Sequence, residues 1–509
     1  MRHSRRAVLS GGLGLAGAGL LRTWPARAAE LTFADDPFTL GIASGYPEPT
    51  AAVLWTRLAP QPLVPGGGLP AAPVPVDWEV GTDERLRAVV RRGTVYATPD
   101  WAHSVHVEVA GLEPARDYWY RFTSGGAQSP VGRTRTAAAR GTLPNRMTFA
   151  LASCQHYEQG HYAAYGAVAS DALDLVVHVG DYIYEGRGTS RVRAHDAPEC
   201  HTLEDYRQRY AIYKSDPQLQ AAHAAGPWML VSDDHEVAND YAALQSGQDD
   251  PPELFLARRA AAYQAYYEHL PLPRRLVPFD GRQRLYTSRS FGDLATVVML
   301  DGRQYRAPQA CAPGSLVEPC AELYEAERSM LGRAQEQWLH RTLGASSARW
   351  NLLGQQTLLA HFDQSGDGPR AYWADGWNGY PAARERLVEA LLARTGGNAV
   401  VLSGDIHAFL VNDVHAVATD YGSAIVATEL VTSSISSQGP AQASFNRWQA
   451  ENPNVQLARS DYRGYVRVAV EPERLHAELV AVDDITRPDS ATHVLASFDV
   501  EDGKPGVAR

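Results

Sequence analysis

The stretch Leu173-Asp-Leu-Val-Val-His-Val-Gly-Asp-Tyr-Ile-Tyr184 decides how this chain is read. Its apolar run, set between Ala172 and Gly180, has the composition of a strand covered on both faces of a sheet. Gly180 lets the backbone turn, and Asp181 follows at the carboxyl end, where open α/β sheets place their sites. Asp181 and Tyr184 are three residues apart, so a helical turn puts both on one side. A carboxylate and a phenolate aimed at one point suit a hard, highly charged metal ion. An Asp that only caps the next helix, with Tyr184 packed beside it, explains the same residues. The choice rests on the neighbouring segments.

Other apolar runs also end in polar clusters. Residues 148–152 lead into Ser153-Cys154-Gln155-His156, and 228–231 into Ser232-Asp233-Asp234-His235-Glu236. Residues 295–300 lead into Asp301-Gly302-Arg303-Gln304, 398–402 into Ser403-Gly404-Asp405-Ile406-His407, and 424–431 into Thr432-Ser433-Ser434. Helical patterns over 252–269, 324–343 and 384–393 lie between them. Strands alternating with helices predict a layered α/β domain with one convergent site. Asp181, Asp233, Asp234, Asp301 and Asp405 would repel one another if packed together, and cations are the simplest remedy. His156, His235 and His407 add imidazoles, Cys154 a thiolate and Tyr184 a phenolate. The Asp301-Gly-Arg-Gln304 segment reads instead as a structural turn.

Upstream, residues 29–136 hold short alternating runs separated by Gly and Pro, which predicts an all-β domain. Leu112-Glu-Pro-Ala-Arg-Asp-Tyr118 is similar to the corner of fibronectin type III sandwiches, where a Tyr hydroxyl returns to the backbone. Residues 137–144 read as a linker. A chain of 509 residues exceeds one ordinary core, so the expected division is 1–28 as a leader, 29–137 as a small β-sandwich and 138–509 as the catalytic domain.

The leader reading rests on Arg5-Arg6, an apolar run to Leu21 and Ala26-Arg27-Ala28, which resembles a twin-arginine export signal. The run is too short to span a bilayer, so no permanent membrane anchor is expected. Removing the five arginines of residues 1–28, which hold no acid, takes the formal charge from −11 to −16. So acidic a chain is not expected to bind nucleic acid through a broad basic face. An oxidising compartment permits a disulfide, and Cys311 and Cys320 flank a Pro/Gly-rich segment suited to one.

Five motifs in order resemble the PhoD-like alkaline phosphatases, a branch of the metallophosphoesterases. They are Ser153-Cys-Gln155, Gly180-Asp-Tyr-Ile-Tyr184, Asp233-Asp-His-Glu-Val237, an Arg-bearing helix ending in Ala265-Tyr-Tyr-Glu-His269, and Gly404-Asp-Ile-His407. Gly41-Ile-Ala-Ser-Gly45 and Leu54-Trp-Thr-Arg57 resemble that family's N-terminal signature. The resemblance implies an αββα metallophosphoesterase-like sandwich after a small immunoglobulin- or fibronectin-like domain. It implies that Cys154, Asp181, Tyr184 and His407 hold Fe(3+), and that Asp181 bridges to Ca(2+), with Asp234, Asn239 and Asp405 as further calcium ligands. It makes Arg258 or Arg259 a phosphate clamp. His235 either protonates the leaving group or positions its neighbours.

The implied protein is a secreted alkaline phosphatase, periplasmic or extracellular. It is exported by the twin-arginine machinery and acts on small phosphate monoesters and diesters. The alternatives are a phospholipase D-like phosphodiesterase or phosphotriesterase of the same fold, and an exported binding protein with a decayed site. Residues 363–377 and 433–446 are expected to shape the mouth. There is no Gly-x-Ser-x-Gly elbow to supply a serine nucleophile.

Overall fold

The computed structural model describes residues 32–188, 191–247, 250–311, 316–366, 368–393 and 398–508; the expected leader lies outside them. Leu175–His178 is a fully buried strand. It pairs in parallel with Met147–Ala152 on one side and Pro227–Leu230 on the other. Three neighbouring strands therefore deliver Cys154, Asp181 and Asp234 from the same end. Burial on both faces explains why these strands read as unbroken apolar runs.

They belong to a nine-stranded mixed sheet. Its order runs Thr492–Glu501, Arg474–Val482, Arg463–Val470, Met147–Ala152, Leu175–His178, Pro227–Leu230, Ile42–Glu48, Ala51–Arg57 and Ser104–Ala110. A second, seven-stranded sheet carries Ala399–Ser403 in parallel between Trp350–Gly354 and Ile425–Val431. The two sheets share one apolar core, in which Phe149 and Val177 of the first meet Val297, Leu352 and Val400 of the second. The far side of the second sheet, through Val298, Leu353 and Val401, takes Leu339, Leu387 and Leu391 from the helices Gly332–Gly344 and Pro381–Leu392. Stacking two sheets brings the polar ends of both sets of parallel strands to one place.

The helix Pro252–His269 has the bounds its pattern predicts. The helix expected from residue 324 starts only at Gly332. Gly332 has φ +70°, in the left-handed region, and donates its N–H to Ser329 Oγ at 2.7 Å. The amphipathic pattern runs through this break because the preceding chain is also buried, Met330 on the same core and Leu323 in a small cluster with Ala310 and Tyr372.

The N-terminal segment is divided between two sheets. Val74–Gly81, Val89–Ala97 and Asp117–Ser124 make an antiparallel sheet over a core of Leu54, Val76, Val107 and Phe122. The Tyr118 hydroxyl accepts the Glu113 N–H at 2.8 Å. Ile42–Glu48, by contrast, pairs in parallel with Pro227–Leu230 and so continues the large sheet. Trp55 Nε1 donates to the Glu268 carbonyl at 3.0 Å, and Arg57 Nη1 lies 2.7 Å from His269 Nε2. The expected linker is packed too: Ala137 N donates to the Glu48 carbonyl, and Gly292 N to that of Ala138. Small residues suit a close backbone approach as well as a linker.

Cys311 and Cys320 form the expected disulfide, and Cys154 and Cys200 are free and buried. Among the described residues no helix is long and apolar enough to cross a membrane.

Sheet continuity makes a prediction. A fragment starting at residue 138 loses one of the two strand partners of Pro227–Leu230 and bares that edge of the sheet, so it should aggregate and lack a cooperative thermal transition. A soluble fragment melting near the full-length temperature would show that the large sheet does not need Ile42–Glu48.

Candidate metal centre

The loops after four parallel strands converge, and their backbone is unusual. Cys154, Asp181, Asp405 and His407 have φ of 57°, 57°, 66° and 57°. Non-glycine residues in the left-handed region each cost about 1 kcal/mol or more, and such strain collects at functional sites. Gly180 is required where the loops cross. Its φ is +117°, and a Cβ there would collide with Asp233. Glu236, fully buried, ties the two loops together. Its carboxylate accepts the N–H groups of Asp181 at 3.2 Å, Tyr182 at 2.6 Å and Asp233 at 2.8 Å.

One group of donors surrounds Asp181. Ligand atoms of Cys154, Asp181 and His407 lie within 4.8 Å of one another. Tyr184 Oη donates to Asp181 Oδ2 at 2.9 Å and lies 3.1 Å from His407 Nε2. His407 Nδ1 is 2.6 Å from the Gln438 carbonyl. A carbonyl only accepts, so the proton is on Nδ1 and the Nε2 lone pair faces the cluster. Ser153 Oγ is 2.8 Å from Cys154 Sγ, and Ser437 Oγ is 2.8 Å from Tyr184 Oη. Asp181 Oδ1 is buried with no hydrogen-bond partner. Burial pushes the Cys154 thiol and the Tyr184 phenol well above their usual ranges, and the neighbouring Asp181 carboxylate adds to the effect.

A second group is made of carboxylates. Asp233, Asp234 and Asp405 offer oxygens within 4.8 Å of one another, and the ligand atoms of Asp181, Asp234 and His235, two oxygens and a ring nitrogen, lie equally close. Burial, then Asp233, raises the Asp405 carboxyl well above the usual range, and burial lifts Asp233 to about 6. For Asp234 burial is overcome by Arg303 and His235, which lower it. His235 Nδ1 lies 2.7 Å from Glu185 Oε2. Burial alone would neutralise this imidazole, but Glu185, Asp234 and Asp181 raise it well above its usual range. Asn239 lines the cleft, and its backbone N–H donates to Glu185 Oε1 at 2.7 Å.

The sequence misplaced one important side chain. Asp301 does cap a turn, accepting the N–H groups of Arg303 and Gln304 at 3.0 Å. Arg303 then enters the acid cluster. Its Nε donates to Asp233 Oδ1 at 2.5 Å, and its Nη2 lies 2.7 Å from Asp375, 3.4 Å from Asp234 and 3.8 Å from Asp405. Asp375 follows only the two-residue strand Tyr372–Trp373, too short to stand out as an apolar run, so no pattern announced it.

Arg258 and Arg259, expected as the phosphate clamp, are not brought to the cleft. Arg258 donates to Tyr206 Oη and Glu199, and Arg259 to the carbonyls of Gly281 and Ala243. Both are buried and neither lines the cleft, although Arg258 Nη1 has no hydrogen-bond partner. The helical pattern locates these arginines without giving their direction.

Above the acids lies a cleft of about 500 Å³, with Asp181, Asp234, His235, Asp240, Asp405 and His407 at its base. The donor set fits two unlike cations. Thiolate, phenolate and imidazole suit a transition-metal ion, and the adjacent carboxylates suit a harder divalent ion. Asp181, one of whose oxygens is buried without a partner, belongs to both sets.

Known proteins share this architecture. The family model for PhoD-like phosphatase matches residues 149–479, and the model for its N-terminal domain matches residues 24–138. Alkaline phosphatase D of Bacillus subtilis (strain 168) is 45% identical over 506 residues, which cover 98% of this chain and 86% of that protein. A solved structure described as "Structure of PhoD" superposes with a TM-score of 0.90 at 45% identity, covering 94% of this chain and 93% of that one.

The role of Glu236 can be tested directly. Glu236→Ala leaves three buried N–H groups without an acceptor, and should cost about 3 kcal/mol or more and reduce activity. Chemical denaturation measures the first. An unchanged midpoint would mean that the loops are held by other contacts.

Proposed function

The chain belongs to the PhoD-like phosphatases, and on that premise we propose that it hydrolyses phosphate monoesters and diesters at a mixed Fe(3+)/Ca(2+) centre. It is a phosphoric ester hydrolase, and its substrates are phosphate esters. Cys154, Asp181, Tyr184 and His407 would hold the iron, and Asp181, Asp234, Asn239 and Asp405 the calcium. The observation that carries this reading is the thiol, phenol and imidazole gathered around the Asp181 carboxylate, one of whose oxygens is buried without a partner.

Bound cations would supply Lewis acidity toward the phosphoryl group and lower the pKa of the attacking water. The protein's own residues do the rest. His407 is held with Nε2 toward the centre by the Gln438 carbonyl. Ser153 and Ser437 fix the thiol and the phenol. Glu185 engages His235 Nδ1, so the proton that the imidazolium can give to the leaving oxygen is the one on Nε2. Arg303 keeps the carboxylates from driving one another apart. It takes the neutralising role that the sequence assigned to Arg258 or Arg259, but on the acids and not on the substrate.

The same reading covers the layout and the destination of the chain. Two sheets sharing one core, with helices outside, support an αββα sandwich over 138–509. The Tyr118 corner supports an immunoglobulin- or fibronectin-like domain over 29–137. Residues 1–28 would direct twin-arginine export to the periplasm or exterior.

Two outcomes follow. The metal-loaded protein should show a visible tyrosinate-to-iron absorption band. Tyr184→Phe should abolish that band and lower kcat/KM on p-nitrophenyl phosphate by about 100-fold or more. A colourless, iron-free and fully active wild type would reduce Tyr184 to packing. A calcium chelator should remove activity, with calcium restoring it and magnesium failing to, because the site is rich in carboxylates and loosely spaced. Full activity in the chelator would rule out the calcium half of the centre.

A further inference from the structure

Much of the cleft lining away from the acids is apolar, and the metal chemistry does not use it. Gln364 and Asn378 also line the cleft, and the Asn378 amide is engaged with the backbone of Phe362 and Ala360. Leu358, Phe362, Ile406 and Trp448 form one wall. Phe362, Phe445 and Trp448 pack ring against ring, with centroids 5.1–6.1 Å apart, over a buried cluster that includes Leu410 and Val431. That backing makes the wall rigid. Leu316 and Trp373 line the cleft as well, and are the cross-strand pair of the ribbon joining Leu316–Val317 to Tyr372–Trp373. The Cys311–Cys320 disulfide closes the loop that carries Leu316. His361 Nε2, 3.0 Å from Tyr372 Oη, holds the other strand.

Leu316 is 45% exposed and Trp373 37%. Two large apolar side chains are thus held in water at the mouth of the site, a cost that is offset when something apolar covers them. The charges below are one-sided. Asp181, Asp234, Asp240 and Asp405 line the base, and no Lys or Arg is among the described lining residues. A substrate arm carrying a second anionic group would find no partner here.

We propose that these walls bind the uncharged, apolar arm of the phosphate ester, aryl or alkyl, with Trp373 and Trp448 as specificity-determining residues. They select such esters over polyol phosphates and nucleoside polyphosphates. This rests on the reading of the acidic base as the phosphoryl end. A volume of about 500 Å³ holds a phosphoryl group and an arm of aryl size, within the usual range for small-ligand sites.

The test compares 3-phenylpropyl phosphate with glycerol 1-phosphate on the metal-loaded full chain. Both leaving groups are primary alcohols, so the comparison reads recognition of the arm. The wild type should favour the phenylpropyl ester in kcat/KM by about 10-fold or more. Trp373→Ala and Trp448→Ala should each shrink that preference about 10-fold, the effect of removing a ring that covers the arm. Trp373→Phe should keep most of it. Comparable turnover of phosphatidylcholine vesicles would name a lipid as the source of the arm, and inert vesicles a soluble ester. Equal kcat/KM for the two esters, or equal losses on both in the variants, would overturn the proposal. Titration with non-hydrolysable phosphonates bearing the same two arms reads the walls without turnover. Hydrolysis of neither ester would therefore count against the phosphatase reading alone.

Discussion

Everything at this site follows from crowding buried carboxylates around the Arg303 guanidinium. Asp233, Asp234, Asp375 and Asp405 all lie within 4 Å of it. Two like charges at about 4 Å repel by roughly 4 kcal/mol at an effective dielectric of 20. Arg306 Nη1, 2.7 Å from Asp375 Oδ1, and His235 beside Asp234 share the load, but Asp233 and Asp405 are still pushed up and are left to be protonated or matched by cations. The fold opposes their separation by covalent and backbone means. Four loops leave parallel strands within two stacked sheets, Glu236 ties two of the loops together, and Gly180 lets those two cross without a side chain between them.

The same constraint explains why the N-terminal segment is built into the large sheet. Pro227–Leu230 must stay in register for Asp233, Asp234 and His235 to meet the other loops. Ile42–Glu48 covers its free edge, and Trp55 and Arg57 lock the neighbouring strand to the end of the long helix. The N-terminal segment therefore acts on the site at a distance, by fixing the strand beneath it.

Much of this was legible in the sequence. Apolar runs ending in Cys, Asp and His clusters gave the strands and a pool of acids, imidazoles, thiol and phenol, from which the family resemblance picked out Cys154, Asp181, Tyr184, Asp234, Asn239, Asp405 and His407 as candidate ligands. These residues were visible because a parallel strand end is a local pattern with a fixed spatial meaning. Arg303 and Asp375 were hidden for the opposite reason: their partners lie on other elements, and nothing in their own neighbourhood marks the encounter. Arg258 and Arg259 failed in a third way. A helix shows which residues share a face, but not what that face meets. Residues 137–144 misled by composition, since the small side chains typical of linkers also let the backbone of Ala137 and Ala138 pack closely.

The left-handed backbone at Cys154, Asp181, Asp405 and His407 makes the centre a socket whose shape belongs to the main chain. The side chain at each position can then change its donor atom without the loop being rebuilt. A replacement at any of the four must still accept a φ near 60°, so β-branched residues are penalised there whatever their chemistry.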